Sequence, residues 1–597
     1  MISSLFSASC SRIAMAVAAA LACVSVPLAH AGDLAVDGQW YRPHTDTAYV
    51  YVRNTSDRPL TLKQLSVNGR VEEATPWPLD PERKSHWFDF IPAVVPPHGV
   101  SQVRVNLRDP KPGEAVELTV TSERGDIKQS VQPQEPALLF SDITFAQDGS
   151  AASLFVRGKD FTIQKVMMDG QDVTDRCDLA GAQSVGDVAL VTVKPSKHLA
   201  LGSYHVFEVI SADGRTALYA AHTLADKFVL ATYGNMQFFQ AYKDNALNTF
   251  VSFRNLTPPV MDDLKANGLT AAPVPFVGGE YSPKTKEWVP FDEAATRANL
   301  AALKANGAVA FYAGTDEPDG YDSMNKNLGM HGRSFVRQRQ IAEEVDPAAA
   351  TFVQIDNSMK PFNYHVYAET MDYSATHRYN LGQEFLAGDR EACEQLRRSS
   401  QPQPYLWVDQ LYPVREKQGE RVNYNGRDPL PQEMALQMYE AVANGAKGIV
   451  HYIHSGSSGG RGGSGKNAEL WNSMKPIHQQ LAAVGPIIAS STPTPWASAD
   501  SSDFRAVALL SDRHNVLVVV TNQAVESTKT GFVAKPHSDV TVTVNLPSWV
   551  RFNDAVQALP GGELSPLSVT KQNNQAVIHL THPELGALIW LRGDVSK

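Results

Sequence analysis

Two adjacent carboxylates, Asp316 and Glu317, follow the apolar run AVAFYAG (Ala308–Gly314) and stand just before the helix-incompatible Pro318. A neighbouring negative charge disfavours ionisation of a carboxyl group, so the Asp316 charge would help hold Glu317 protonated near neutral pH. Such a pair suits general acid/base work, in which one carboxyl gives a proton to a leaving oxygen while a negative partner supports positive charge developing at carbon. The alternative is a turn in which Asp316 caps and Glu317 is merely solvated. Two further carboxylates end apolar runs, Asp356 in TFVQID and Asp409 in YLWVDQ. Either could complete the pair, or cap the helix that follows it.

The elements that would carry these residues are legible from the chain's periodicity. From about Lys227, short apolar runs alternate with longer helical segments, and three helices share one ending: LKANG at 264–268 and 303–307, then VANG at 442–445. Each puts Asn-Gly where a helix C-cap wants a left-handed residue. Thr257 before Pro258 predicts a helix start. The strands then read Phe228–Gly234, Asn248–Phe253, Leu269–Val277, Ala308–Gly314, Thr351–Asp356, Asp372–His377, Tyr405–Gln410 and Gly448–His454. Eight such runs predict a (β/α)8 TIM-type barrel, whose sites lie at the carboxyl ends of the strands. A seven-stranded or irregular barrel and a doubly wound open sheet are the competing topologies, NTFVSF being the weakest strand.

On either side of the barrel the pattern changes to alternation with period two, broken by turns, which describes antiparallel sandwiches. The whole reads as a multidomain α/β plus all-β chain: 1–31 an export signal, 32–134 and 135–225 immunoglobulin-like sandwiches, 226–490 the catalytic barrel, and 491–597 a C-terminal β-sandwich. The signal rests on Arg12, the apolar run from Ile13 to Ala29 and an A-x-A site at Ala29-His30-Ala31, with cleavage after Ala31 and a periplasmic or secreted product. Removing Arg12 takes the net charge from -10 to -11, and an acidic exported chain argues against nucleic-acid binding. No later run is long enough to span a bilayer. Cys177 and Cys393 fall in different domains and form no CxxC, so neither a disulfide nor a zinc site is expected.

With a strand count of eight, Asp316 and Glu317 end strand four, and at these residues the chain resembles (β/α)8 glycoside hydrolases whose acid/base carboxylate sits there. The main, clan-A-like group has an Asn-Glu pair at that place, where this chain has Asp-Glu. The adjacent Asp-Glu is similar to that of substrate-assisted N-acetylhexosaminidases with an N-terminal sandwich. The resemblance implies a carbohydrate substrate and no cofactor. It makes Glu317 the general acid/base, with Asp316 orienting the substrate's acetamido group, or with Asp409 as a strand-seven nucleophile; Asp356 is held in reserve.

Aromatic and polar residues near the other strand ends suit sugar hydroxyls and C–H faces: Tyr233, Asn235, Tyr312, His377, Arg378, Trp407, Tyr412, His451, Tyr452, His454 and Trp471. His451 and His454, three apart on a strand, are expected on opposite faces, so no metal is called for. Trp77, Trp87, Phe88 and Phe90 in the first sandwich could stack on sugar or fill its core. Gly460–Lys466 imitates a phosphate loop but is followed by Asn467 where Ser or Thr should stand, and reads instead as part of a loop over the barrel mouth. The rival reading is a non-catalytic polysaccharide-binding or surface-assembly protein on the same scaffold.

Overall fold

The computed structural model describes residues 30–593, apart from 44, 73–86, 108–110, 112, 283–286, 320–331, 357–363, 384, 415, 419–420, 424–425, 455–466, 537–538 and 573. The leader up to Ala29, Trp77 and nearly all of the glycine-rich loop lie outside the described residues.

Eight parallel strands form the central sheet: β1 (Val229–Gly234), β2 (Thr249–Val251), β3 (Thr270–Ala272), β4 (Phe311–Ala313), β5 (Ala350–Asp356), β6 (Tyr373–His377), β7 (Tyr405–Gln410) and β8 (Gly448–His454). Their spatial order is β3-β2-β1-β8-β7-β6-β5-β4. The two ends of that order meet through an Ala271–Val309 bridge, with Ala310 N–H donating to Ala271 O at 2.7 Å, and so the sheet closes. Helices follow the strands in turn: α1 (Phe239–Asp244), α2 (Pro258–Ala266), α3 (Glu293–Asn306), α4 (Gly332–Val345), the single turn α5 (Tyr364–Tyr367), α6 (Phe385–Ser400), α7 (Pro431–Ala443) and α8 (Ala468–Ala489). All eight strands read from the sequence are present. The short β2, β3 and β4 lie inside longer apolar runs that continue as irregular backbone.

Alternation divides each strand between two cores. Val229, Ala231 and Tyr233 of β1 join Phe352, Ala375, Val408 and Val450 inside the barrel. Leu230 joins Phe250, Tyr312, Val353, Trp407 and Ile449 under the helices. The three Asn-Gly endings behave as read: Gly268, Gly307 and Gly445 have φ of 69°, 78° and 99°. Pro258 opens α2, although Thr257 makes no side-chain capping bond. Asn467, the residue that breaks the phosphate-loop pattern, caps α8 by accepting from Leu470 N–H at 2.9 Å.

Residues 30–131 form two antiparallel sheets around one core, and residues 138–222 form a second such pair. Two larger antiparallel sheets and a two-stranded ribbon, between Thr492 and Arg592, make the C-terminal unit. Its Leu509, Leu517 and Leu588 merge with the helix-side core of the barrel, while Phe155 and Leu190 of the second sandwich join its own core. Trp87 and Phe88 are buried, and Trp87 donates to Val366 O at 2.7 Å, so Trp87 fixes the first sandwich to the barrel. Cys177 and Cys393 are both free.

Both N-terminal sandwiches grip α4. Arg339 pairs with Asp89 of the first and with Glu343, which accepts from Tyr204 of the second at 2.5 Å. His222 of the second sandwich faces Asp372 at 2.8 Å through Nδ1 and Pro347 O at 3.0 Å through Nε2. Two acceptors for two ring nitrogens require the imidazolium. Burial opposes that charge, but Asp372 outweighs it and raises the His222 pKa. Burial likewise lifts Asp372, yet His222 and then Arg339 bring it down to about 2. A histidine with a raised folded pKa stabilises fully below its unfolded value of about 6.5 and loses that contribution as pH climbs through the folded value. His222→Ala is therefore expected to cost about 3 kcal/mol at pH 6, by breaking a buried pair. The gap from wild type should narrow at pH 9, as read by denaturant unfolding at both pH values.

Candidate active site

Glu317 leaves β4 with φ of 48°, an uncommon conformation for a residue with a Cβ, and its N–H donates to Gln354 O of β5 at 3.1 Å. This tie fixes Glu317 over the barrel mouth, with its side chain about a third exposed. Asp316 beside it receives the Tyr233 hydroxyl at 3.4 Å, and the same hydroxyl reaches Gln354 Oε1 at 2.6 Å. From β5, Asp356 is held by its N–H, which donates to the buried Asp319 at 2.9 Å. From β6, His377 Nε2 lies 3.4 Å from both Glu317 Oε1 and Asp356 Oδ1.

Four carboxylates and one imidazole thus meet at the carboxyl ends of three consecutive strands. Desolvation pushes the Asp316 carboxyl well above the usual range; the charge of Glu317 adds to this, Tyr233 opposes it, and Asp319 and Asp356 contribute further. The cluster favours retention of a proton, which a general acid needs.

Opposite the carboxylates stands an aromatic wall. Tyr379 stacks on His377 at 4.0 Å and on Tyr452 at 5.7 Å, and Tyr412 meets both Tyr379 (4.9 Å) and Tyr452 (5.6 Å) edge-on. Tyr233 stacks on the exposed Phe253 at 4.5 Å and meets Tyr452 edge-on at 5.7 Å. Phe253, Gln354, Asp319 and Tyr379 are not among the residues to which the sequence points. Tyr379 and Gln354 had a usable signal, since each lies two residues from a chosen one, His377 and Asp356, and so on the same side of an extended chain.

The structure brings together Tyr233, Asp316, Glu317, Asp356, His377, Tyr412 and Tyr452, with Asn235 half-buried just past β1. It does not bring Asp409 to them. Asp409 belongs with Tyr405 and Trp407 on the helix side of β7, where both its oxygens are bonded to His451 Nδ1 at 2.8 and 2.9 Å. His451 Nε2 contacts His478 Nε2 at 2.8 Å, and His478 Nδ1 faces Asn245 O and Oδ1 at 2.9 and 2.7 Å. Asn245's amide nitrogen is committed to Trp471 O, so both of its oxygens accept, and His478 donates from Nδ1. Burial, then the neighbouring His451, drives the His478 pKa well down, keeping it neutral. Its Nε2 accepts from His451, leaving one proton between His451 and Asp409. This buried chain ties β7 and β8 to α8.

Other candidates also face the helices. Tyr312 donates to Asp346 at 2.8 Å, Arg378 turns to Glu391 of α6 at 2.7 Å, and Trp407 is fully buried in the outer core. His454 and Trp471 pack on each other at 3.8 Å, where burial pushes the His454 pKa down to about 4. His451 and His454 do not face opposite ways as expected: both turn to α8, because the β1–β8 register slips between Thr232 and Gly234. Among the described residues, Glu317, Asp356 and His377 have ligand atoms within 4.8 Å of one another, a spacing that could hold a metal ion.

No known protein-family model matches the chain, and no curated protein matches it. Among solved structures, it is similar to a protein titled a glycoside hydrolase at 15% identity, covering 65% of this chain and 97% of that one with a TM-score of 0.38. A family 5 glycoside hydrolase from Bacteroides vulgatus matches at 13% identity over 64% and 93% of the two chains, with a TM-score of 0.37. An FMN-binding beta-glucuronidase from Facaelibacterium prausnitzii matches at 9% over 92% and 91%, with a TM-score of 0.30. Likenesses of this size leave the chemistry to be argued from the site.

A carboxyl whose folded pKa is raised destabilises the fold progressively above its unfolded value of about 3.9. Asp316→Asn should therefore raise the urea midpoint at pH 8 and leave it nearly unchanged at pH 4. Asp409→Ala should do the opposite at neutral pH, losing about 3 kcal/mol by leaving the His451 end of the relay without its buried partner.

Proposed function

We propose that the protein is an exported glycoside hydrolase that cleaves a poly- or oligosaccharide, with Glu317 as proton donor. The observation that carries this reading is the convergence of Asp316, Glu317, Asp356 and His377 at one end of the barrel, facing an aromatic wall. Glycoside cleavage needs a protonated carboxyl at the leaving oxygen, and a negative group near the anomeric carbon as it gains oxocarbenium character. Glu317 is the more exposed member of the pair and reaches out of the mouth; Asp316 is held below it by Tyr233. Tyr379, Tyr412 and Tyr452 offer faces and edges for the apolar side of a pyranose, and His377, Gln354 and Asp356 offer partners for its hydroxyls.

The burial of Asp409 behind β7 argues against its acting as nucleophile and favours substrate assistance. In that route the substrate's own acetamido oxygen attacks the anomeric carbon, and Asp316 orients that group. Asp356 is the other carboxylate near enough to Glu317 to share one sugar. Export rests on the amino-terminal sequence alone.

Purified mature protein assayed against aryl glycosides with and without a 2-acetamido group tests the reading. Cleavage should be confined to, or far faster on, the 2-acetamido sugars. Glu317→Gln should lower kcat by about 10² to 10⁴ on substrates with poor leaving groups, the range of general acid assistance. Asp409→Asn should keep kcat per folded molecule. Unchanged turnover in Glu317→Gln overturns the mechanism, and no cleavage by wild type on any sugar favours the non-catalytic carbohydrate-binding alternative.

A further inference from the structure

The distances around His377 carry a second reading, independent of hydrolysis. Nε2 of this ring faces two carboxylate oxygens, each at 3.4 Å. An N–H···O hydrogen bond runs at about 2.7 to 3.2 Å, so neither separation is that of a good hydrogen bond. It is instead the separation of two ligands that share one tetrahedral ion: with metal–ligand bonds of about 2.0 to 2.2 Å, adjacent ligands lie about 3.3 to 3.6 Å apart.

Asp356 and His377 end β5 and β6, and Glu317, four residues beyond β4, is tied to β5 through Gln354, so the sheet sets their spacing. Two of them are buried, with His377 and Asp356 side chains 2% and 6% exposed, whereas Glu317 is 35% exposed. A site built this way is closed on the barrel side and open to solvent on the other, which leaves a fourth position for water or a ligand oxygen. His377 is also held from behind. Its ring is stacked between the cluster and Tyr379, and its Nδ1 lies 3.4 Å from the Gln354 amide. Asp316 and Asp319 crowd two more carboxyl groups close by, and a dication would relieve the repulsion among them.

We propose that Glu317, Asp356 and His377 bind one divalent transition-metal ion, of which zinc is the best match to one imidazole and two carboxylates. Where Glu317 is the proton donor, the ion and the catalytic proton compete for the same oxygen, and bound zinc inhibits hydrolysis.

The test uses untagged mature protein stripped with a chelator and titrated with Co²⁺, then with Zn²⁺ by calorimetry. One equivalent of Co²⁺ should give the intense visible bands of a tetrahedral centre, and Zn²⁺ should bleach them. His377→Ala and Asp356→Asn should each weaken Zn²⁺ binding at least about tenfold and abolish the Co²⁺ bands, while His98→Ala, at an exposed histidine in the first sandwich, should leave both unchanged. Circular dichroism checks that each variant is folded, and Glu317→Gln supplies a third ligand variant if one is not. Absent tetrahedral bands in wild type, or Zn²⁺ binding that survives in the folded ligand variants, overturns the proposal. Because the readout is metal binding, a chain that cleaves no sugar can still pass.

Discussion

Mutual repulsion of the carboxylates at the barrel mouth is the constraint that the rest of the site has to meet. Asp316, Glu317, Asp319 and Asp356 are crowded at the ends of two adjacent strands, and the fold supplies fixed bonds to hold them there. Glu317 is tied to Gln354, Asp356 to Asp319, and Asp316 and Gln354 share the Tyr233 hydroxyl. The first two ties link the β4 and β5 segments to each other and the third reaches across the barrel from β1, so the cluster cannot relax unless the sheet opens. A closed parallel sheet, hydrogen-bonded on both sides of every strand, is a scaffold well suited to such a load.

The accessory domains belong to the same account. The helix that packs over the β4–β5 side is α4, and its Arg339 is held by Asp89 from one sandwich while Glu343 is held by Tyr204 from the other. On the far side, Glu440 of α7 accepts from Arg390 of α6 and from Arg505 and Thr521 of the C-terminal unit. The barrel is thus clamped by ionic contacts at two opposed places, in addition to its continuous apolar packing against the C-terminal sheets. Arg339–Asp89 is buried on both sides, and Glu440 is buried although its arginines are partly exposed, so removing Asp89 or the Arg339 that it holds is the costlier loss.

How much of this could be read in the sequence depended on which period was being read. The strands, the Asn-Gly helix endings and the change to sandwich alternation are local patterns, and they located every barrel strand. The site needed the finer question of which way each strand residue points. Asp409, Tyr312 and Trp407 are strand-end residues of the right chemistry on the wrong side, and parity within the strand carries that information only once the register is known. His454 escaped even parity, because the pairing of β8 with β1 slips by one residue there. The domain contacts of Arg339 and His222 join residues far apart in the chain and leave no local mark. Glu317 itself was legible because an apolar run, a pair of acids and a proline are unusual together.

That pair has a geometric oddity. Consecutive residues of an extended chain point to opposite sides, so two acids in a row should serve one inside and one outside. Here both reach the same space, because the backbone turns left-handed at Glu317 and swings the second side chain back beside the first. Most side chains pay conformational energy to sit in that region, and β-branched ones pay most, so the chain's menu at position 317 is narrowed by shape before chemistry has any say. An acidic dipeptide becomes a working pair only where a strand stops in such a turn, which makes the stop as much a part of the site as the acids.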